Sequence, residues 1–160
     1  MSISRVKLAL LLAVACLLTG AAAGHRDGFT LYGRVDRPDG TYREMLVETR
    51  ALDAMRAGRE PGEGWAILME SRLASGGITS IFAKRREAGG WEYGAFREGG
   101  TIADFDGRGP CAGCHRAAEG QGGTFTRPML RAFMASGAVQ RRSCERGGRA
   151  PCEAGVYEKP

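Results

Sequence analysis

No apolar run in this chain is long enough to span a bilayer comfortably: the longest, residues 8–18, falls short of the roughly twenty residues that a spanning helix needs. Length is limited as well, and 160 residues suit one compact domain rather than two of ordinary size. Excess charge is small, +5 over the whole sequence, so no strong polyanion partner follows. Arg141-Arg142 and the arginines near them lack interleaved aromatics, which makes them a solvated face rather than a nucleic-acid site.

The short apolar run fits another role. Arg5 and Lys7 form a basic start, residues 8–18 an apolar middle, and Ala21-Ala22-Ala23 a small-residue cleavage site, the three parts of an export signal. Residues 1–23 are therefore expected to be a signal peptide, with an uncleaved anchor as the alternative. Cys16 is poorly placed for lipidation, because Leu17 and Leu18 would be left at the new terminus. Cleavage after Ala23 removes Arg5 and Lys7 and no acidic residue, which lowers the charge to about +3.

Cleavage also removes Cys16 and leaves four cysteines. Two of them stand in the most informative segment of the chain, Cys111-Ala112-Gly113-Cys114-His115. Cys-x-x-Cys-His is the attachment sequence for a c-type haem. On one helical turn, residues three and four apart share a face, so both thiols can meet the vinyl groups while the adjoining imidazole reaches the iron. One covalent haem c is expected, with Cys111 and Cys114 as the thioether residues and His115 as the proximal iron ligand. Such haem is attached outside the bacterial cytoplasm, so a periplasmic protein is expected, in agreement with the export signal.

Other chemistries are open to the same residues. A thioredoxin-like dithiol belongs where a strand runs into the helix of a βαβ unit, whereas residues 104–110 read as loop. A zinc site could join Cys111 and Cys114 to Cys144 and Cys152, although the second spacing is long and uneven beside those of zinc ribbons and fingers. A plain Cys111–Cys114 disulfide leaves His115 without a role. Cys144 and Cys152 are a disulfide candidate for an oxidising compartment, with two free thiols in a disordered tail as the alternative.

The apolar pattern changes period along the chain. Residues 29–35 and 42–49 are strand-like around Arg37-Pro38-Asp39-Gly40, which predicts a hairpin. Residues 50–56 fit a short helix ended by Gly58. Residues 65–73, 78–85 and 91–97 are further strand candidates, separated by Ser75-Gly76-Gly77 and Ala88-Gly89-Gly90, so the middle reads as an antiparallel meander. Ile78, Ser80, Phe82 and Lys84 share one face of the second. A last helix is predicted with Thr126 as its cap, Pro128 in its first turn, and Met129, Leu130, Phe133 and Met134 as an apolar stripe before Gly137. The expected fold is α+β, mainly antiparallel β-sheet with a few short helices, the haem-binding segment lying near the C-terminus. Residues 24–137 form the haem domain and residues 138–160 a Gly- and Arg-rich tail, closed by a disulfide if Cys144 and Cys152 pair.

The late position of the motif separates cytochrome architectures. Small electron-transfer cytochromes c carry it near the start, and four-helix cytochromes c′ carry it late but after a helical chain. Neither fits a strand-rich sequence punctuated by glycine. The stretch Ala88-Gly89-Gly90-Trp91-Glu92-Tyr93-Gly94-Ala95-Phe96, then Cys111 to His115, then Thr124-Phe125-Thr126-Arg127, resembles the cytochrome P-460 and cytochrome c′-beta family. The layout from Tyr42-Arg43 through Arg56-Ala57-Gly58 to Ile67-Leu68-Met69-Glu70 is similar as well, and the resemblance covers residues 33–137. It implies a mostly antiparallel β fold, a homodimer, and a five-coordinate haem held by His115 with an open distal side. In the hydroxylamine-oxidising members, a lysine cross-linked to the haem ring precedes the glutamate that Glu70 matches, and this chain has Met69 there. Their distal carboxylate falls near Ser80, and Lys84 matches a different lysine that makes no cross-link.

These departures have a chemical consequence. Oxidising hydroxylamine removes protons as well as electrons, and a positioned base contributes roughly 10²- to 10⁴-fold to such a step. Ser80 cannot be that base at neutral pH. The expectation is a mono-haem protein that binds nitric oxide or a similar small diatomic ligand in an apolar distal pocket lined by Met69, Ser80 and Phe82, with redox turnover and a redox partner protein as accompaniments. The same three residues suit an ordinary core equally well. One alternative is electron transfer with a sixth ligand drawn from Met45, Met69, Met129, Met134 or His25, and another is hydroxylamine or nitric oxide oxidoreduction. Arg43, Arg116 and Arg127 are candidate propionate partners, since guanidinium groups pair well with carboxylates, and solvent exposure suits each of them too.

Overall fold

The computed structural model describes residues 24–96, 98, 100, 111–148 and 150–158. The expected signal peptide and the loop read at residues 104–110 lie outside the described residues.

Strand-forming residues flank a turn at the start of the chain, and β1 (Phe29–Asp36) pairs antiparallel with β2 (Tyr42–Glu48). The turn is closed by its own polar groups: the Arg37 N–H donates to Thr41 O at 2.9 Å, and Asp39 Oδ1 accepts from the Thr41 N–H at 3.0 Å and its hydroxyl at 2.6 Å. The helix α1 (Thr49–Arg56) buries Ala51 and Leu52. Antiparallel pairing continues through β3 (Ala66–Arg72), β4 (Ile78–Glu87) and β5 (Gly90–Phe96). Then come α2 (Cys111–His115), a 3-10 helix (Arg116–Gln121) and α3 (Arg127–Ser136), which ends at Gly137, whose N–H donates to Phe133 O at 2.8 Å.

The segment after Gly137, read from sequence as a tail, is built into the fold. β6 (Gln140–Ser143) runs parallel to β1, and the Cys144 N–H donates to Asp36 O at 2.9 Å. Cys144 and Cys152 are joined by a disulfide with their Cα atoms 5.7 Å apart. Both are buried in the main core, together with Tyr157 of α4 (Ala154–Glu158). Gln-Arg-Arg-Ser has no apolar alternation to betray a strand; it is an edge strand held through its backbone. The result is an α+β fold: a mixed six-stranded sheet in the order β5-β4-β3-β2-β1-β6, with four short helices among the described residues.

Side chains alternate across the sheet and give it two faces. Val35, Met45, Val47 and Ile67 form the main core with Leu52 of α1, with Met129, Leu130 and Phe133 of α3, and with the disulfide segment. Each large apolar side chain removed from water there contributes about 1.5–3 kcal/mol. The close approach of α3 depends on Gly33, where a Cβ would lie 2.8 Å from Met129 Cε and 3.0 Å from Met45 Cε. Thr126 stands at the start of α3 as expected, but its hydroxyl makes no cap bond. It pairs at 2.6 Å with the hydroxyl of fully buried Tyr32, a polar group that needs a partner inside the core.

The opposite face holds a smaller apolar cluster of Leu46, Leu68 and Ala83 with Phe29, Leu31 and Phe96 packed on it. Glu70 points away from Met69 and is fully buried. Its carboxylate accepts from His25 Nε2 at 2.8 Å, from Arg26 Nε at 2.6 Å and from Arg72 Nε at 2.8 Å. Residues 25 and 26, just after the expected cleavage point, are thereby tied to the sheet.

Candidate functional site

Register sets the floor of the site. Met45, Met69, Phe82 and Ala95 stand opposite one another in a row across β2, β3, β4 and β5, and Ile67, Lys84 and Tyr93 form the neighbouring row. Opposite this floor, α2 and the loop that ends in Thr124-Phe125-Thr126 close a cavity of about 380 Å³. Cys111, Cys114 and His115 all line it, as do Arg43, Met69 and Phe82. Both cysteines are free thiols, Cys111 half-buried and Cys114 exposed. Cys144 and Cys152 are bonded to each other, which removes them from the four-cysteine zinc arrangement.

The orientation of His115 is fixed by its surroundings. Its Nδ1–H donates to Gly123 O at 2.8 Å, which leaves Nε2 as the nitrogen carrying the lone pair. Tyr93 and Phe125 flank the ring, with centroids at 4.8 Å and 5.3 Å. Burial holds the imidazole below its ordinary pKa; the Gly123 bond opposes that shift and the Lys84 charge adds to it. A neutral, oriented imidazole suits metal ligation.

Sequence reasoning noted Lys84 but missed its place. Its Nζ donates to the same Gly123 carbonyl at 2.9 Å, hydrogen-bonds the Thr124 hydroxyl, and lies 3.9 Å from the centre of the Trp91 ring. Trp91 Nε1 in turn donates to Gly122 O at 2.8 Å. Lys84 and Trp91 thus hold the loop behind His115. Gly123 has φ +68°, and a Cβ there would lie 3.2 Å from Trp91 Cδ1, so the loop needs glycine at this position. Burial pushes the Lys84 ammonium down to about 7, with the Arg127 and Arg86 charges adding to the effect. A lysine sharing a face with Phe82 was the available signal, since a charge on an inward face must find buried partners.

Other predicted residues fall elsewhere. Ser80 lines a neighbouring polar cavity, together with Ser71 opposite it and Arg43. Arg116 and Arg127 are exposed and do not line the 380 Å³ cavity. Met129 is fully buried in the main core and Met134 packs against that core, whereas Met45 and Met69 face the cavity. His25 is bound to Glu70 on the other face of the sheet. Sequence reasoning also missed Tyr93, Thr124, Phe125 and Tyr157 as lining residues.

Among the described residues, no group of three or more His, Cys, Asp and Glu side chains is placed to hold a metal ion, and no helix is long and apolar enough to cross a membrane. No protein-family model matches the chain, and no curated protein does either.

Proposed function

We propose that this chain is an exported mono-haem c-type cytochrome with an open distal site, which binds nitric oxide or a similar small diatomic ligand. The observation that carries the reading is the meeting of two free thiols and one oriented imidazole on the wall of a single, largely apolar cavity. Cys111 and Cys114 are the residues to hold the porphyrin through thioethers, and His115 Nε2 is the donor to its iron. When bound, the haem supplies an iron site for reversible ligand binding and one-electron redox change.

The chain's own residues do the rest. The Gly123 carbonyl fixes the tautomer and direction of His115; Lys84 holds that carbonyl, and Trp91 holds the preceding one at Gly122. Met69 and Phe82 give the cavity apolar surface and offer no charged group to a ligand. Arg43, at the same wall, is the arginine best placed to meet a propionate. The periplasmic location, homodimer and redox partner rest on the export signal and on the family resemblance.

A second reading, electron transfer with a methionine sixth ligand, is favoured by Met45 and Met69 facing the cavity. Hydroxylamine oxidation has less support: position 69 offers no amine, Ser80 lines the other cavity, and Lys84 Nζ is already engaged by Gly123 and Thr124. The visible spectrum separates these readings. A high-spin ferric spectrum that changes on addition of nitric oxide is expected. A low-spin six-coordinate spectrum indifferent to nitric oxide would support electron transfer instead, and a strongly red-shifted Soret band would revive hydroxylamine oxidation.

A further inference from the structure

Beside the first cavity lies a second, of about 200 Å³, whose wall includes Arg37, Arg43, Arg72, Asp39, Ser71 and Ser80. Arg43 belongs to both cavities. The charges around the second are unbalanced. Arg72 is paired with Glu70 at 2.6 Å and with Glu44 at 3.0 Å. Asp39 is exposed, and its Oδ1 already accepts from the Thr41 N–H and hydroxyl.

Arg37 and Arg43 have no carboxylate within ion-pair distance among the described residues. Arg37 is 6% exposed, and among the described residues its side chain donates to the main-chain oxygens of Arg146 and Ala150, at 2.5 and 2.9 Å, and weakly to Cys152 Sγ at 3.8 Å. Its Nε is buried without a partner among the described residues. Arg43 donates to Gly148 O at 3.0 Å. Burial and then the Arg37 charge push the Arg43 guanidinium down to about 10. A buried cation with a donor unspent, beside a half-buried second cation, is costly to keep unless an anion joins them.

We infer that this cavity is an oxyanion site, which takes a carboxylate or a small inorganic oxyanion on the guanidinium groups of Arg37 and Arg43 beside the Ser71 and Ser80 hydroxyls. Guanidinium forks match the planar edge of a carboxylate or phosphate better than an ammonium does. Two sources can supply that chemistry: a free oxyanion from solution, or a propionate entering past Arg43 from the adjoining cavity. The second source rests on the haem reading and the first does not.

The test follows thermal unfolding of the purified protein in inorganic phosphate, against sodium chloride of matched ionic strength. Wild type is compared with Arg37→Gln, Arg43→Gln and the charge-keeping Arg43→Lys. A midpoint that climbs with phosphate in wild type, with a Kd weakened about tenfold or more in either glutamine variant, supports a free oxyanion whether or not haem is present. A flat phosphate response supports a propionate occupant if the reduction potential reports a carboxyl ionisation that moves to higher pH in Arg43→Gln, since the lost guanidinium had favoured the charged form. Responses that are flat in both measurements, or identical in wild type and all variants, overturn the site. Haem-free protein that still responds to phosphate discards the haem reading alone, and haem-free protein with no response discards both.

Discussion

Replacing Glu70 with glutamine tests whether the buried carboxylate, and with it the segment of His25 and Arg26, is held by charge. Glu70 is fully buried, and both of its oxygens accept from basic side chains: Oε1 from His25 and Arg26, Oε2 from Arg26 and Arg72. Glutamine keeps the shape but turns an NH2 group toward donors that need an acceptor. Breaking a buried ion pair on one side costs roughly 3–5 kcal/mol. Arg26 is 38% exposed, so water relieves part of that loss, and about 2–3 kcal/mol is expected. For a domain of this size, the unfolding midpoint should fall by roughly 6–10 °C at pH 7.

The pH dependence is the sharper part of the test. Burial alone would raise the Glu70 carboxyl, but the hydrogen bonds from Arg26, His25 and Arg72 outweigh it and hold the pKa at about 2, against an ordinary 4.5. A depressed carboxyl stabilises the fold above its unfolded value and loses that contribution as the pH falls toward the folded one. The gap between wild type and Glu70→Gln should stay constant above pH 5 and narrow from pH 4.5 downward, as followed by circular dichroism. Other depressed carboxyls, such as Asp36, titrate in both proteins and cancel. Equal midpoints at pH 7, or a gap that persists unchanged at pH 3, would refute the reasoning.

Three further outcomes are expected. Lys84 titrates near 7 when folded and near 10.5 when unfolded, so the unfolded state binds more protons between those values and stability should rise with pH across that window. Lys84→Met should flatten the rise in urea midpoints between pH 7 and 9.5, and an unchanged slope would contradict the burial of that amine. Reducing the Cys144–Cys152 bond, or changing both cysteines to serine, should cost about 2–3 kcal/mol for so short a loop, read as a lowered urea midpoint. Gly33→Ala should cost about 1 kcal/mol by pushing on the methyl ends of Met45 and Met129, and that cost should be smaller when the change is made in a Met45→Ala background.

Much of the sheet was legible because strand period and turn chemistry agree with one another. Arg37-Pro38-Asp39-Gly40 marked the first hairpin, and the apolar alternation of residues 78–85 put Phe82 and Lys84 on one face before any packing was known. Residues 140–143 were illegible, since backbone pairing to β1 leaves no apolar mark on Gln-Arg-Arg-Ser. Cys111, Cys114 and His115 announced themselves by spacing, but the company they keep did not. Tyr93, Thr124 and Tyr157 come from three distant segments, and only the packing of α2 and α4 against the sheet brings them to one wall. Ser80, expected beside Phe82, lies on the same face of the sheet one row further along, opposite Ser71, where it lines the second cavity.

The most direct measurement is the intact mass and absorbance of the protein purified from a host that matures c-type cytochromes. A coloured polypeptide carrying the mass of one haem, with both colour and added mass lost when Cys111 and Cys114 are changed to alanine, is the predicted result. Colourless protein of unmodified polypeptide mass, produced by that same host, would contradict it.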